Sequence, residues 1–194
     1  MKTRLWLVLA VFGTVVALQG CTLEPQNLRI DPPLKVTESA VGNGRIIGLG
    51  VSDARIDKKL GEVGDPNTQM VDVSVVEDPS AAIYERLQAA LTKLGFSVAP
   101  HSDAMQSTLQ VEIRSLVLKS VKTAFTFETE LRAQLSAHAG NGPNFYDRQF
   151  NVRTRKDGAA PPFEEDSTML VNTAISQALE DMLSDEQLLE LLAK

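Results

Sequence analysis

From Phe125 to Ala137 the chain alternates without a break. Phe125, Phe127, Thr129, Leu131, Ala133, Leu135 and Ala137 form one set, and Thr126, Glu128, Glu130, Arg132, Gln134 and Ser136 fall between them. A helix, with 3.6 residues per turn, would spread both sets around its circumference, whereas a strand sends them to opposite faces. The polar set also argues against a parallel strand buried on both sides. The segment therefore demands an antiparallel sheet with one wet face and one face that something else must cover.

The flanking sequence supplies neighbours for that strand. Asn141-Gly142-Pro143-Asn144 reads as a turn, Phe145 to Arg155 as the return strand, and Thr108 to Leu118, alternating through Leu109, Val111 and Ile113, as a strand before it. Upstream, Arg45 to Val51 is an apolar run suited to a buried strand, and Met70 to Val75 alternates as another. Between them, Gly61, Gly64 and Asp65-Pro66-Asn67 mark a loop. Asp78-Pro79 offers an N-cap and a first-turn proline to a helix carrying Ile83, Leu87, Leu91 and Leu94, which Gly95 ends before a short strand at Phe96-Ser97-Val98. After a loop at 158–162, a helix from about Asp166 buries Leu170, Val171, Ala174, Ile175, Ala178, Leu179, Met182 and Leu183. Ser184-Asp185-Glu186-Gln187 resembles a capping box opening a last short helix. The expected fold is an α/β (α+β) two-layer sandwich, a mixed and largely antiparallel sheet with helices packed on one face.

The first residues have another role. Met1-Lys2-Thr3-Arg4 is a short positive region before the apolar run Leu5 to Leu18, which is shorter than the roughly 20 residues of a membrane span and suits a signal segment. Leu18-Gln19-Gly20-Cys21 resembles a lipobox, with a branched residue three before and a small residue one before the cysteine; Gln19 departs from the usual small or apolar residue. The resemblance implies cleavage between Gly20 and Cys21 and lipidation of Cys21. It also explains why Cys21 is the sole cysteine, in a chain that then has no internal disulfide to form. By the same resemblance, to enterobacterial lipoproteins, Thr22 rather than Asp after the cysteine implies the outer membrane, facing the periplasm. Pro25, Pro32 and Pro33 exclude helix from residues 21–44, which read as an extended tether, with Leu28, Ile30, Leu34 and Val36 available to dock part of it as an edge strand. Residues 45–194 are then a single domain.

Twenty-five acidic and nineteen basic residues give a net charge of −6, and loss of Lys2 and Arg4 with the signal takes it to −8. Charge alone will not draw such a surface to nucleic acid or anionic headgroups, so the membrane contact rests on the lipid. Beyond the lipobox, the chain resembles the YajG-type family of uncharacterised lipoproteins. The resemblance lies in a first strand running into Asp53-x-Arg55-x-Asp57-x-x-Leu60-x-x-Val63, in Leu87-Gln88-x-x-Leu91-x-x-Leu94-Gly95-Phe96-x-Val98, and in the closing amphipathic helix with its short follower. It implies a location and a fold, and no activity.

Signals for chemistry are few. His101 and His138 have no Cys, His or carboxylate at ligand spacing, so surface histidines are expected and no metal or cofactor. Gly48-x-Gly50 lacks the third glycine and the helix of a dinucleotide loop, and no serine sits in Gly-x-Ser-x-Gly. Asp53, Arg55 and Asp57 stand at the end of a central strand, where α/β folds often bind ligands; the competing reading is an ion pair that fixes the following loop. Arg148, Arg153, Arg155 and Lys156 form a basic stretch with cross-strand partners in Glu128 and Glu130. The expectation is a non-enzymatic binding module for an envelope protein or peptidoglycan, using the sheet face or the Asp53 loop. A carrier of an apolar ligand or lipid is the alternative, and an enzyme ranks last because no nucleophile and base converge.

Overall fold

In a computed structural model, which describes residues 23–194, the alternating segment is a strand of 15 residues, Phe127–Asn141. It is the seventh of eight. In chain order the elements are β1 (Gln26–Leu28), β2 (Ile46–Asp53), β3 (Lys59–Asp65), β4 (Gln69–Val75), α1 (Ser80–Lys93), β5 (Ser97–Pro100), β6 (Ser107–Lys122), β7 (Phe127–Asn141), β8 (Asn144–Gly158), α2 (Glu164–Leu183) and α3 (Glu186–Ala193). The expected signal over 1–20 and the lipid on Cys21 lie outside the described residues. Phe125 precedes β7 and is 92% exposed: the alternation runs one step past the end of the strand into the turn.

The topology turns on β6. Antiparallel β7 occupies one edge for its whole length, from Ser107↔Asn141 to Lys122↔Phe127, and β8 continues the ribbon. Two strands share the other edge in succession. β2 runs parallel to β6 from Gly48↔Thr108 to Asp53↔Ile113, and β3 joins further on at Gly61↔Leu118. The sheet thus forks at a bulge in β6, where Arg114 is the extra residue between Ile113 and Ser115. β5 lines the outside of β2 in parallel, while β4 and then β1 extend the β3 branch.

All three helices lie on one face, as the alternation requires. Leu49, Leu109 and Ala139 share a row across β2, β6 and β7, and Leu116 and Leu118 meet Ala133 and Leu131 beyond the bulge. These residues are buried in one continuous core with Ile83, Leu87 and Leu91 of α1, Val171, Ile175 and Leu179 of α2, and Leu188 and Leu192 of α3. The architecture is the mixed two-layer sheet expected. Two caps differ from the sequence reading. Asp78 still accepts from Ser80 N (2.9 Å) but stands two positions before the helix, with Pro79 at the N-cap, and the last helix is capped by Asp185, which accepts from Gln187 and Leu188 N, rather than by Ser184.

Residues 59–65, which the glycines mark as a loop, form β3 instead. Gly61 and Gly64 stand where a neighbouring backbone passes too close for a side chain: a Cβ would lie 2.0 Å from Leu118 O at Gly61 and 2.2 Å from Gln69 O at Gly64. The segment 21–44 also departs from a free tether. From Leu23 onward it is extended but strapped across the helical layer. Leu28, Ile30 and Pro32 are buried, and Leu34 and Val36 pack on the core. Asp31 N donates to Asn172 Oδ1 (2.8 Å) and Lys35 N to Glu180 Oε1 (2.7 Å) on α2. Ser39 N and Gly42 N donate to Lys93 O and Leu94 O at the end of α1. The prolines forbid helix, and the unpaired backbone is satisfied by the helices' polar side chains and free carbonyls.

Candidate functional site

The sheet face away from the helices is uncovered by any described element. Alternation places Glu112 and Arg114 of β6, Glu128, Glu130, Arg132, Gln134 and His138 of β7, and Asp147, Gln149, Asn151, Arg153 and Arg155 of β8 on it. Most of these charges are paired, along a strand or across two. Arg155 meets Glu128 at 2.7 Å, Arg132 meets Glu130 at 2.6 Å, Arg153 approaches Glu130 at 3.6 Å, and Gln134 Nε2 donates to Gln149 Oε1 (3.0 Å). His138 sits between Asp147 and Glu112. His101 is exposed in the loop after β5. Among the described residues, no group of three His, Cys, Asp or Glu could hold a metal ion.

The basic stretch of β8 divides by the same alternation. Arg153 and Arg155 face solvent with their glutamates, whereas Lys156 and Arg148 stand on the helix side. Lys156 pairs with Asp166 of α2, and Arg148 with Asp185 at the start of α3. Tyr146 donates its hydroxyl to the same Asp185 (2.9 Å). These contacts pin the helices to the ribbon.

Of the Asp53, Arg55 and Asp57 cluster, the structure brings together the first two. β2 ends at Asp53, so the three do not share a strand face. Asp53 Oδ1 accepts from Arg55 Nε (2.8 Å), and Oδ2 accepts from Arg55 Nη2 (2.8 Å) and Lys58 Nζ (2.6 Å). The two side chains are 2% and 3% exposed. Burial pushes the Asp53 carboxyl up, but the hydrogen bonds from Arg55 and Lys58 outweigh it and hold the group at about 2. Arg55 Nη1 is buried without a partner among the protein atoms. Asp57 is exposed and accepts from Lys59 N (2.9 Å), closing the loop locally. The bidentate pair fixes the loop, and Arg55 Nη1 is the one polar side-chain atom of the pair left without a partner among the described residues.

What the cluster builds is the fork. The loop 54–58 crosses the gap where β2 has left β6 and β3 has not yet joined. Ala54 N still donates to Ile113 O (3.1 Å). A shallow, open depression results, lined by Arg55, Ile56 and Asp57 from the loop, Arg114 and Val117 from β6, and Gln134 from β7. A second depression continues over Ser115, Arg132, Gln134, Asn151 and Arg153. The Asp53 loop and the wet sheet face, two separate candidates in the sequence, therefore border one surface. Ile56 is fully exposed there, and Val117 is partly exposed beside it. The fork itself left no sequence signal, because it depends on which strands pair with β6 and where. Gly48 and Gly50 stand on the same face, against the ends of flexible side chains. A Cβ would meet Met105 Sδ at 2.6 Å from Gly48 and Gln110 Oε1 at 1.8 Å from Gly50.

The family model of an uncharacterized lipoprotein family matches residues 32–193, from the strap to the end of α3. The chain belongs to this lipoprotein family. The match agrees with the YajG-type resemblance and makes the protein a lipoprotein. No curated protein matches the sequence. Among solved structures, a Xanthomonas campestris protein of the DUF330 family aligns at a TM-score of 0.51 and 12% identity, over 84% of the lipoprotein and 93% of that chain. At that identity the likeness is one of fold alone. A Helicobacter pylori homologue of a neuraminyllactose-binding hemagglutinin aligns at a TM-score of 0.49 and 10% identity, over 86% and 98% of the two chains. None of the described helices is long and apolar enough to cross a membrane.

Proposed function

We propose that the lipoprotein is a non-enzymatic binding module of the cell envelope, anchored through lipid on Cys21 to the outer membrane and facing the periplasm. It binds another envelope protein through the fork and the adjoining wet face of β6 to β8. One observation carries this reading: Ile56 and Val117 are both exposed at one open depression, on a face whose charges are mostly paired with one another. Apolar contacts ringed by polar groups are the composition of protein interfaces. Asp53, Glu128 and Glu130 each answer a cation of the fold, and His138, between Asp147 and Glu112, stands on the same open sheet face rather than in a closed cleft, which supports binding over catalysis. A carrier would call for an apolar cavity, whereas the helix-side residues pack as one core. The anchor is attributed to acylation because one chain holds only reversibly and two or three hold lastingly.

Two experiments test it. Cys21→Ala should abolish incorporation of labelled palmitate, and unchanged incorporation rejects the anchor site. Photocrosslinking groups at positions 56, 132 and 134 in intact cells should capture one discrete protein. Capture of peptidoglycan fragments instead would make the partner the cell-wall polymer, and no capture from any of the three would dismiss this face as the binding surface.

A further inference from the structure

The described chain begins at one end of the sheet, where exposed phenylalanines stand among acidic side chains. β1 runs parallel to β4, and Leu23 lies before it, beside the β3–β4 turn: Gln69 Nε2 donates to Leu23 O (2.8 Å) and Leu23 N to Gln69 Oε1 (3.2 Å). The β6–β7 turn is at the same end, where Lys122 pairs with Asp65. So is the connection from β8 to α2, since Phe127 pairs with Gly158 and Gln26 Nε2 donates to Pro162 O (2.8 Å). Two of the three exposed phenylalanines of the described residues project here, Phe125 at 92% exposure and Phe163 at 64%, with Val121 close by in the chain at 58%. The third, Phe145, is at the opposite end, at the start of β8.

Cys21 is two residues before Leu23, which limits the chain between them to about 7 Å. With lipid on Cys21, the reading this inference rests on, the β3–β4 and β6–β7 turns cannot stand off from the bilayer. We infer that this end of the domain docks on the membrane surface, with Phe125 and Phe163 seated at the interface. Aromatic side chains favour that depth, and their burial there would otherwise have no partner in the fold. Glu164 and Glu165 follow Phe163, and Asp65 occupies Lys122, so the contact is apolar and needs no anionic headgroup. The strands then rise away from the membrane. The bulge at Arg114 lies eight residues from Lys122, which sets the fork roughly 25 Å above the surface and leaves its face open sideways.

The only tryptophan of the chain is Trp6, which leaves with the signal, so a single introduced tryptophan reports its own position. Full-length lipidated Phe125→Trp, Phe163→Trp and Phe145→Trp would each be reconstituted into phosphatidylethanolamine vesicles, with and without phosphatidylglycerol, carrying a lipid-borne quencher. Quenching several-fold stronger at 125 and 163 than at 145, and unchanged by phosphatidylglycerol, is the expected result. Equal quenching at all three positions, in protein that floats with the vesicles, overturns the docking and spares the anchor. Protein that does not float overturns both. Quenching at 125 and 163 that appears only with phosphatidylglycerol overturns the apolar contact.

Discussion

At Asp53 a single carboxylate decides how the chain leaves the central strand. It receives both nitrogens of the Arg55 fork and Lys58, with almost no solvent access. Removing one partner leaves a buried guanidinium without its counter-charge, so Asp53→Asn should destabilise by about 3–5 kcal/mol in urea unfolding. The double change Asp53→Leu with Arg55→Met should recover most of that loss. The pair also sets an acid dependence. The folded carboxyl sits at about 2 against the ordinary 3.8 of an aspartate. Its contribution, roughly 2 kcal/mol, is therefore complete above the unfolded value and vanishes as pH falls through the folded one. Asp53→Asn should lack this part of the acid limb.

At the level of elements, the strap and the last helix carry the predictions. Were residues 21–44 only a spacer, trimming Leu28 would change nothing. Leu28 is 2% exposed in the core, so Leu28→Ala should cost about 2–5 kcal/mol, read as a lower urea midpoint. α3 hangs on Asp185, which caps its first turn and receives Tyr146 and Arg148 from β8. Asp185→Ala should cost about 1–2 kcal/mol from the cap alone. Burial, with the hydrogen bond and charge of Asp185, pushes the Tyr146 hydroxyl up to about 12. In Asp185→Ala that titration, followed by ultraviolet absorbance, should move back toward 10 while keeping the part due to burial.

For the whole molecule, the docking proposed above makes the short passage from Cys21 to Leu23 the part that would fix how the domain meets the membrane. A flexible insertion of about ten Gly and Ser residues between Thr22 and Leu23 would add a reach of roughly 15–20 Å. It touches no core residue, so stability should stay within about 0.5 kcal/mol of the parent. Quenching of tryptophan at position 125 by lipid should fall in the same protein, and a lengthened anchor that leaves it undiminished would show that the end docks without help from the lipid.

Alternation and capping were enough to place most elements, because both are local. The dry face of β7 and the apolar stripes of α1 and α2 follow from spacing that no distant residue can alter. Period two also held the division of the β8 basic stretch, with Arg148 and Lys156 on the side of Phe150 and Val152, although reading it requires knowing which face the helices take. What the local pattern could not contain was proximity. Gly61 and Gly64 look like loop residues until Leu118 and Gln69 are seen against them, and the strap looks like a spacer until α1 and α2 offer partners 50 or more residues away. The fork is the extreme case. It exists because two strands follow one another along a single edge of β6, and strand neighbours are set by long-range pairing and burial, quantities that belong to the folded chain and to no segment of it.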